Sequence, residues 1–160
     1  MNLVLLHPEI PHNTGAAGRL ALATGSTLHL VHPLGFSLED KHLRRAGLDY
    51  WKDVDLRQWE SLEALQAAAG GEARFWFLST KGGPAHWDVR YRADDYLVMG
   101  PETRGLPRSL LDSHPGQVLR IPMMRGGTRS LNLATAAAVV LYEAMRQIDP
   151  PGFAPTAGEA

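Results

Sequence analysis

Three short polar segments carry side chains that a folded core has little use for. The first is Pro8-Glu9-Ile10-Pro11-His12-Asn13-Thr14-Gly15, followed by Arg19 in an otherwise small and apolar stretch (Ala16, Ala17, Leu20 to Ala23). Asn13 or Thr14 is a natural helix N-cap, whereas Arg19 is either a surface residue or a placed cation. The second is Gly100-Pro101-Glu102-Thr103-Arg104-Gly105-Leu106-Pro107. Gly100 there lets a ligand approach the backbone closely, and Glu102 can accept hydrogen bonds from an amine or hydroxyl or pair with an arginine. The third is Ile121-Pro122-Met123-Met124-Arg125-Gly126-Gly127-Thr128-Arg129-Ser130-Leu131-Asn132-Leu133. An apolar run ends at a proline, a Gly-rich loop follows, and Arg129, Ser130 and Asn132 stand at the mouth of a long apolar helix. Free N–H groups at a helix start can hold an anion or a polar ligand edge. Ser130 read as a cap accounts for Ser130 and leaves Arg129 and Asn132 without a reason.

The elements that must position these segments follow from periodicity. Leu3–Leu6, Leu28–Val31, Phe75–Leu78, Tyr96–Met99 and Val118–Ile121 read as short buried strands. Helical stretches are expected at about Thr14–Thr24, Leu38–Ala46, Glu60–Ala69, Pro107–Asp112 and Ser130–Gln147, with Gly25 and Gly70-Gly71 as stops. Apolar strands alternating with helices predict an α/β fold with a mostly parallel sheet flanked by helices. Each polar segment then lies just past a strand's carboxyl end, where open α/β sheets bind ligands. The last helix is apolar nearly all round and rich in alanine, so burial on more than one side is expected, in a subunit interface or a central core.

The 160 residues suit one domain at 1–148, with a Pro/Ala/Gly tail at 149–160 expected to be disordered. An apolar fraction of 44% and a charged fraction of 21% are those of an ordinary globule. No run approaches a membrane span, and the N-terminus lacks the basic leader and cleavage site of a signal peptide. The chain has no cysteine, which excludes disulfides and thiolate zinc sites and fits a reducing compartment. Net charge is −1, with 16 basic against 17 acidic residues, so nucleic-acid binding would have to rest on local patches. There is no dinucleotide or P-loop glycine motif. The seven histidines show no helical metal-ligand spacing, and His29 and His32 read as structural.

Taken together, Asn13-Thr14-Gly15 with Arg19, Gly100 to Pro107, and Arg129-Ser130-Leu131-Asn132-Leu133 resemble the three motifs of the SPOUT RNA 2′-O-methyltransferases. The flanks Pro8-Glu9-Ile10-Pro11 and Leu43-Arg44-Arg45-Ala46-Gly47-Leu48-Asp49-Tyr50 resemble the small TrmL (YibK) branch, which methylates the wobble nucleotide of tRNA. The resemblance spans about residues 1–148. It implies a C-terminal trefoil knot, which pattern reasoning alone would bet against, and a cytoplasmic homodimer without membrane attachment. It implies S-adenosylmethionine held around Leu78, Ser79, Thr80, Gly100, Ile121, Met123, Ser130 and Leu131. Arg19 would act on the ribose 2′-hydroxyl from the subunit boundary, with Asn13, Glu102 and Asn132 organising that centre. Lys41, Arg44, Arg45, Arg104, Arg108, Arg125 and Arg129 are candidate tRNA contacts. Alternatives that stay open are a related enzyme acting on another tRNA position or on ribosomal RNA, and a non-catalytic RNA-binding module.

Overall fold

The computed structural model describes residues 1–38 and 50–151. Its elements run β1 (Asn2–Leu6), α1 (Pro11–Ala23), β2 (Thr27–Val31), a 3₁₀ turn (Trp51–Asp53), β3 (Leu56–Trp59), α2 (Leu62–Ala69), β4 (Phe75–Leu78), β5 (Tyr96–Met99), α3 (Arg108–Asp112), β6 (Val118–Leu119) and α4 (Leu133–Ile148). The six strands form one sheet in the order β3-β2-β1-β5-β4-β6, every pairing parallel. The expected α/β class with a parallel sheet is the fold observed.

The strands are near-continuously apolar because both faces of the sheet are covered. Leu3 and Leu5 face one side with Leu28, Leu30, Leu97 and Met99, against Ala17 and Ala21 of α1 and Ala137, Val140, Leu141 and Ala144 of α4. Val4 and Leu6 face the other with Val31, Phe77 and Val98, against Leu62 and Leu65 of α2 and Leu111 of α3. Ala17 and Ala21 of α1 and Ala137 and Ala144 of α4 are fully buried, which lets the two helices pack directly on each other. β1 pairs with both β2 and β5; β2 and β3 step outward from it on one side, while on the other the order is β5, β4, β6.

The sequence reading missed one strand, β3. Leu56-Arg57-Gln58-Trp59 is only half apolar because it is the sheet's edge. Its Trp59 Nε1 donates to His29 Nδ1 at 3.0 Å. An indole can only donate, so His29 keeps its proton on Nε2, 3.1 Å from Asn2 Oδ1. His29 is thus a neutral core residue tying β1, β2 and β3 together, its pKa pushed down to about 4 chiefly by burial. Beside Asn2, buried Asp95 accepts from Arg74 at 2.6 Å and from Trp76 Nε1 at 2.8 Å.

Three expected boundaries are corrected. α1 starts at Pro11, with Ile10 at the N-cap and proline supplying the helical φ at N1, so neither Asn13 nor Thr14 caps it. β6 ends at Leu119, and Arg120 continues only as an isolated bridge to Ala85. α4 starts at Leu133, three residues later than expected, with Asn132 and not Ser130 as N-cap. α4 is also buried on one side only in this chain: Thr135, Val139, Tyr142 and Arg146 form an exposed stripe. Most of the Leu38–Ala46 helix, with Lys41, Arg44 and Arg45, and the tail from 152 onward lie outside the described residues.

Candidate active site

A cavity of about 700 Å³ opens outside the carboxyl ends of β4, β5 and β6. Its walls come from four places: Ile10 and Asn13 at the start of α1, Leu78 to Lys81 after β4, Met99 to Leu106 after β5, and Ile121, Met123 and Arg129 to Leu133 before α4. The volume is that of a pocket for a medium-sized organic ligand.

The loop after β5 can wrap the cavity because of two glycines. A Cβ on Gly100 would lie 2.4 Å from the backbone nitrogen of Leu106, so no other residue fits this crossing. Gly105 has φ +68°, the left-handed region that glycine enters without strain. Leu106 is buried and anchors the far end of the loop.

The polar groups form one directed chain. Glu102 accepts from the backbone N–H of Glu9 at 2.7 Å, from that of Ile10 at 3.3 Å, and from Asn13 Nδ2 at 3.0 Å. Asn13 Oδ1 accepts from Asn132 Nδ2 at 2.8 Å. Asn132 Oδ1 accepts from the backbone N–H groups of Ala134 and Thr135, at 2.9 and 3.3 Å. An ionised carboxylate can only accept and a backbone N–H can only donate. These two ends fix both amides between them: each must present nitrogen toward Glu102 and oxygen toward α4. The chain ties the α1 start, the β5 loop and the α4 start into one frame. Glu9 returns the clasp, accepting from the Thr103 N–H and hydroxyl, both at 2.9 Å. Those two bonds, with Arg104 nearby, hold its carboxyl below the usual range. Three donors occupy Glu102, so it acts as the hub of this frame.

All eight residues expected around a cofactor, Leu78, Ser79, Thr80, Gly100, Ile121, Met123, Ser130 and Leu131, line this cavity. So do Asn13, Glu102, Asn132, Arg104 and Arg129. Three sequence candidates among the described residues are elsewhere. Arg19 is exposed on α1 and stacks over the Tyr50 ring, 4.5 Å from its centroid. Arg125 sits on the exposed Met124–Thr128 loop and does not line the cavity. Arg108 pairs with Asp112 on α3 at 2.8 Å. Asn132 is itself the helix cap, so the idea that no cap requires it is corrected. Its second amide end is what reaches Asn13. Ser130 instead accepts from the Thr128 hydroxyl through its carbonyl, at 3.0 Å.

Sequence reasoning missed Lys81 and Glu9. Lys81 is exposed and lines the cavity with Arg104 and Arg129, and none of the three makes an ion pair among the described residues. The signal was there: Ser79-Thr80-Lys81 follows a strand's carboxyl end, as the other site segments do. Glu9 stands in the first polar segment, but nothing local points to its partner Thr103, 94 residues away.

An open parallel sheet, a cavity at the carboxyl ends of its strands and a wall made from strand-end loops define an α/β protein that binds a small organic ligand beside a polar reaction centre. The chain belongs to the SpoU rRNA methylase family, whose profile matches residues 1–142. A Yersinia pestis tRNA (cytidine(34)-2′-O)-methyltransferase is 50% identical over 157 residues, covering 95% of this chain and 96% of that protein. A structure solved for “the 2-OH methylation of C/U34 on tRNA” is 49% identical with a TM-score of 0.85, covering 91% of this chain and 94% of that one. The SpoU methyltransferase AviRb from Streptomyces viridochromogenes, solved in complex with AdoMet, is 25% identical with a TM-score of 0.77, covering 92% of this chain and 57% of that one.

Proposed function

We infer that the protein is a tRNA 2′-O-methyltransferase that transfers a methyl group from S-adenosylmethionine to the ribose 2′-hydroxyl of the wobble nucleotide. The observation that carries this reading is the single cavity lined by every expected cofactor residue together with Asn13, Glu102 and Asn132. Relatives of the same length and half identical in sequence support the substrate.

The cavity fits the cofactor on its own chemistry. Leu78, Met99, Ile121, Leu131 and Leu133 supply apolar walls for a purine and an aliphatic chain, and Ser79, Thr80 and Ser130 supply hydroxyls. S-adenosylmethionine supplies an electrophilic methyl on a sulfonium. The Asn13–Glu102–Asn132 frame fixes where the nucleotide sugar can approach, since all three loops it joins line the cavity. Transfer needs the reacting centres aligned and dry, and positioning of this kind accounts for a large share of such rate enhancements. The ribose oxygen must also lose its proton. Glu102 is committed to three donors and does not take it. Arginine is too basic to serve as a general base near neutrality. Arg19 stabilises the developing oxyanion instead, while water or a phosphate accepts the proton.

Arg19 points away from its own chain's cavity, so this role has it acting across a homodimer. Exposed Leu22 of α1 and the exposed stripe of α4 support that assembly. The single domain 1–148, the knotted threading after β6 and a cytoplasmic location with tRNA belong to the same reading. Arg104, Arg125 and Arg129 are its phosphate contacts, joined by Lys41, Arg44 and Arg45.

The test is incubation with labelled S-adenosylmethionine and total tRNA, then mapping of the methylated nucleotide. Label on the wobble ribose is expected. Label elsewhere in tRNA or in ribosomal RNA would reassign the substrate, and no incorporation would leave a silent binding module. An Arg19→Lys variant at near-normal turnover would refute any role that needs the planar guanidinium.

A further inference from the structure

Arg19 leaves α1 on a different side from Asn13. Six residues further on, it lies about 240° around the helix and about 9 Å along its axis. It is exposed there with His12, Ala16 and Ala23. An exposed arginine ordinarily samples many rotamers, and fixing it costs side-chain entropy. This one is held. Its guanidinium carbon stands 4.5 Å from the centroid of the Tyr50 ring, well inside cation–π range. Tyr50 is in turn fixed to the same helix. Its hydroxyl donates to the carbonyl of Gly15 at 3.0 Å, one turn before Arg19, and its ring packs partly buried on the core. The next residue locks the arrangement. Trp51 lies so close on Gly18 that a Cβ there would be 2.3 Å from its ring carbon Cζ3. The 3₁₀ turn closes with Asp53 N–H donating to the Tyr50 carbonyl at 2.9 Å.

We propose that Tyr50 is a positioning residue for Arg19, its ring and hydroxyl holding the guanidinium in one orientation on α1 from which it meets the ribose oxygen. This rests on the role given to Arg19 above. The choice of an aromatic partner has a chemical reason. A carboxylate would occupy the in-plane N–H groups of the guanidinium, whereas a ring beneath its face leaves those donors free for a substrate oxygen. Among the described residues no carboxylate pairs with Arg19.

The experiment compares Tyr50→Phe, Tyr50→Leu and Arg19→Ala, alone and with Arg19→Ala combined with Tyr50→Leu, in steady-state methylation of tRNA. Melting and circular dichroism run on every variant. Tyr50→Leu is expected to lower kcat by about 3- to 30-fold with KM for tRNA and cofactor little changed. Tyr50→Phe keeps the ring and recovers most of that loss. In the Arg19→Ala background Tyr50→Leu costs nothing further, because the group it positions is gone. An additive loss in that background, or full kcat in Tyr50→Leu beside a crippled Arg19→Ala, overturns the positioning role while leaving Arg19 in place. Full kcat in Arg19→Ala overturns the role of Arg19 itself. Should Tyr50→Leu fail to fold, a series of fluorinated phenylalanines at position 50 replaces it. Fluorination drains the ring's negative face with little change of shape, so kcat falls with each added fluorine if the ring holds Arg19, and a flat series overturns the proposal.

Discussion

Replacing Asn132 by aspartate separates the two tasks this residue performs. The helix cap survives, because Asp Oδ1 accepts from the Ala134 and Thr135 N–H groups as Asn Oδ1 does. A negative charge at a helix N-terminus adds about 0.3–1 kcal/mol. The other end of the side chain changes sign. Where Asn132 Nδ2 donated to Asn13 Oδ1 at 2.8 Å, two oxygens now face each other. Asn13 is only 7% exposed, so its orphaned oxygen costs about 1–3 kcal/mol. Rotating the Asn13 amide gives no relief, since its oxygen would then oppose Glu102. The balance is a loss of about 1–2 kcal/mol at neutral pH, together with lower kcat. The pH dependence carries the mechanism. The carboxylate of Asn132→Asp is disfavoured in the fold, so its folded pKa lies above the unfolded value near about 3.9. Below that value the acid donates to Asn13 and the deficit vanishes; it grows as pH rises through the folded pKa. Urea unfolding of wild type, Asn132→Asp, Asn132→Ser and Asn132→Ala at one protein concentration, from pH 3.5 to 7.5, reads this directly. An aspartate variant as stable as wild type at pH 7.5, or a deficit that does not shrink in acid, would refute the directed chain.

Gly100→Ala places a Cβ 2.4 Å from the Leu106 nitrogen. Because the obstacle is backbone, the loop must move, with a loss of about 1–3 kcal/mol or more and of cofactor affinity by calorimetry. Buried His29 has its pKa lowered from about 6.5 to about 4. Its folded form therefore refuses a proton that the unfolded chain accepts between those values, and stability falls on acidification by up to about 3 kcal/mol. His29→Gln can keep both the Trp59 and Asn2 bonds without titrating, so it should flatten the wild-type slope between pH 6.5 and 4; an unchanged slope would count against it. tRNA affinity should fall steeply with salt, and Arg104→Ala and Arg129→Ala should each reduce the log–log slope by about 1. A slope unmoved by Arg129→Ala would make that arginine a wall of the cavity and no phosphate contact.

The sheet was readable from sequence where strands are covered on both faces, since Leu3–Leu6 or Phe75–Leu78 cannot be apolar throughout for any other reason in a short segment. β3 was not readable, because the edge strand carries Arg57 and Gln58 toward solvent and its identity depends on partners in β2. The three polar segments were readable as a site because each follows a strand's carboxyl end, and parallel topology brings such ends to one side. Arg19 was readable as an anomaly and not as a neighbour of Tyr50, which no local rule connects to it.

The misread helix starts show why the last step resists local rules. Residue type and position point to Asn13 and Ser130 as caps, and to Asn132 as the residue a cap does not need. Ser, Asn and Asp are all good caps, so sequence offers α4 two starts two residues apart at almost equal energy. The choice falls to Asn13, 119 residues earlier. Starting the helix at Leu133 lets one amide satisfy α4 with its oxygen and Asn13 with its nitrogen. Starting it at Ser130 would leave the buried Asn13 oxygen without that donor. Asn13 in turn is free to reach across because Pro11 starts α1 without help from a polar cap. A helix boundary is thus set by the carboxylate of Glu102 acting through two amides, and the same bonds that decide it hold the three loops around the cavity.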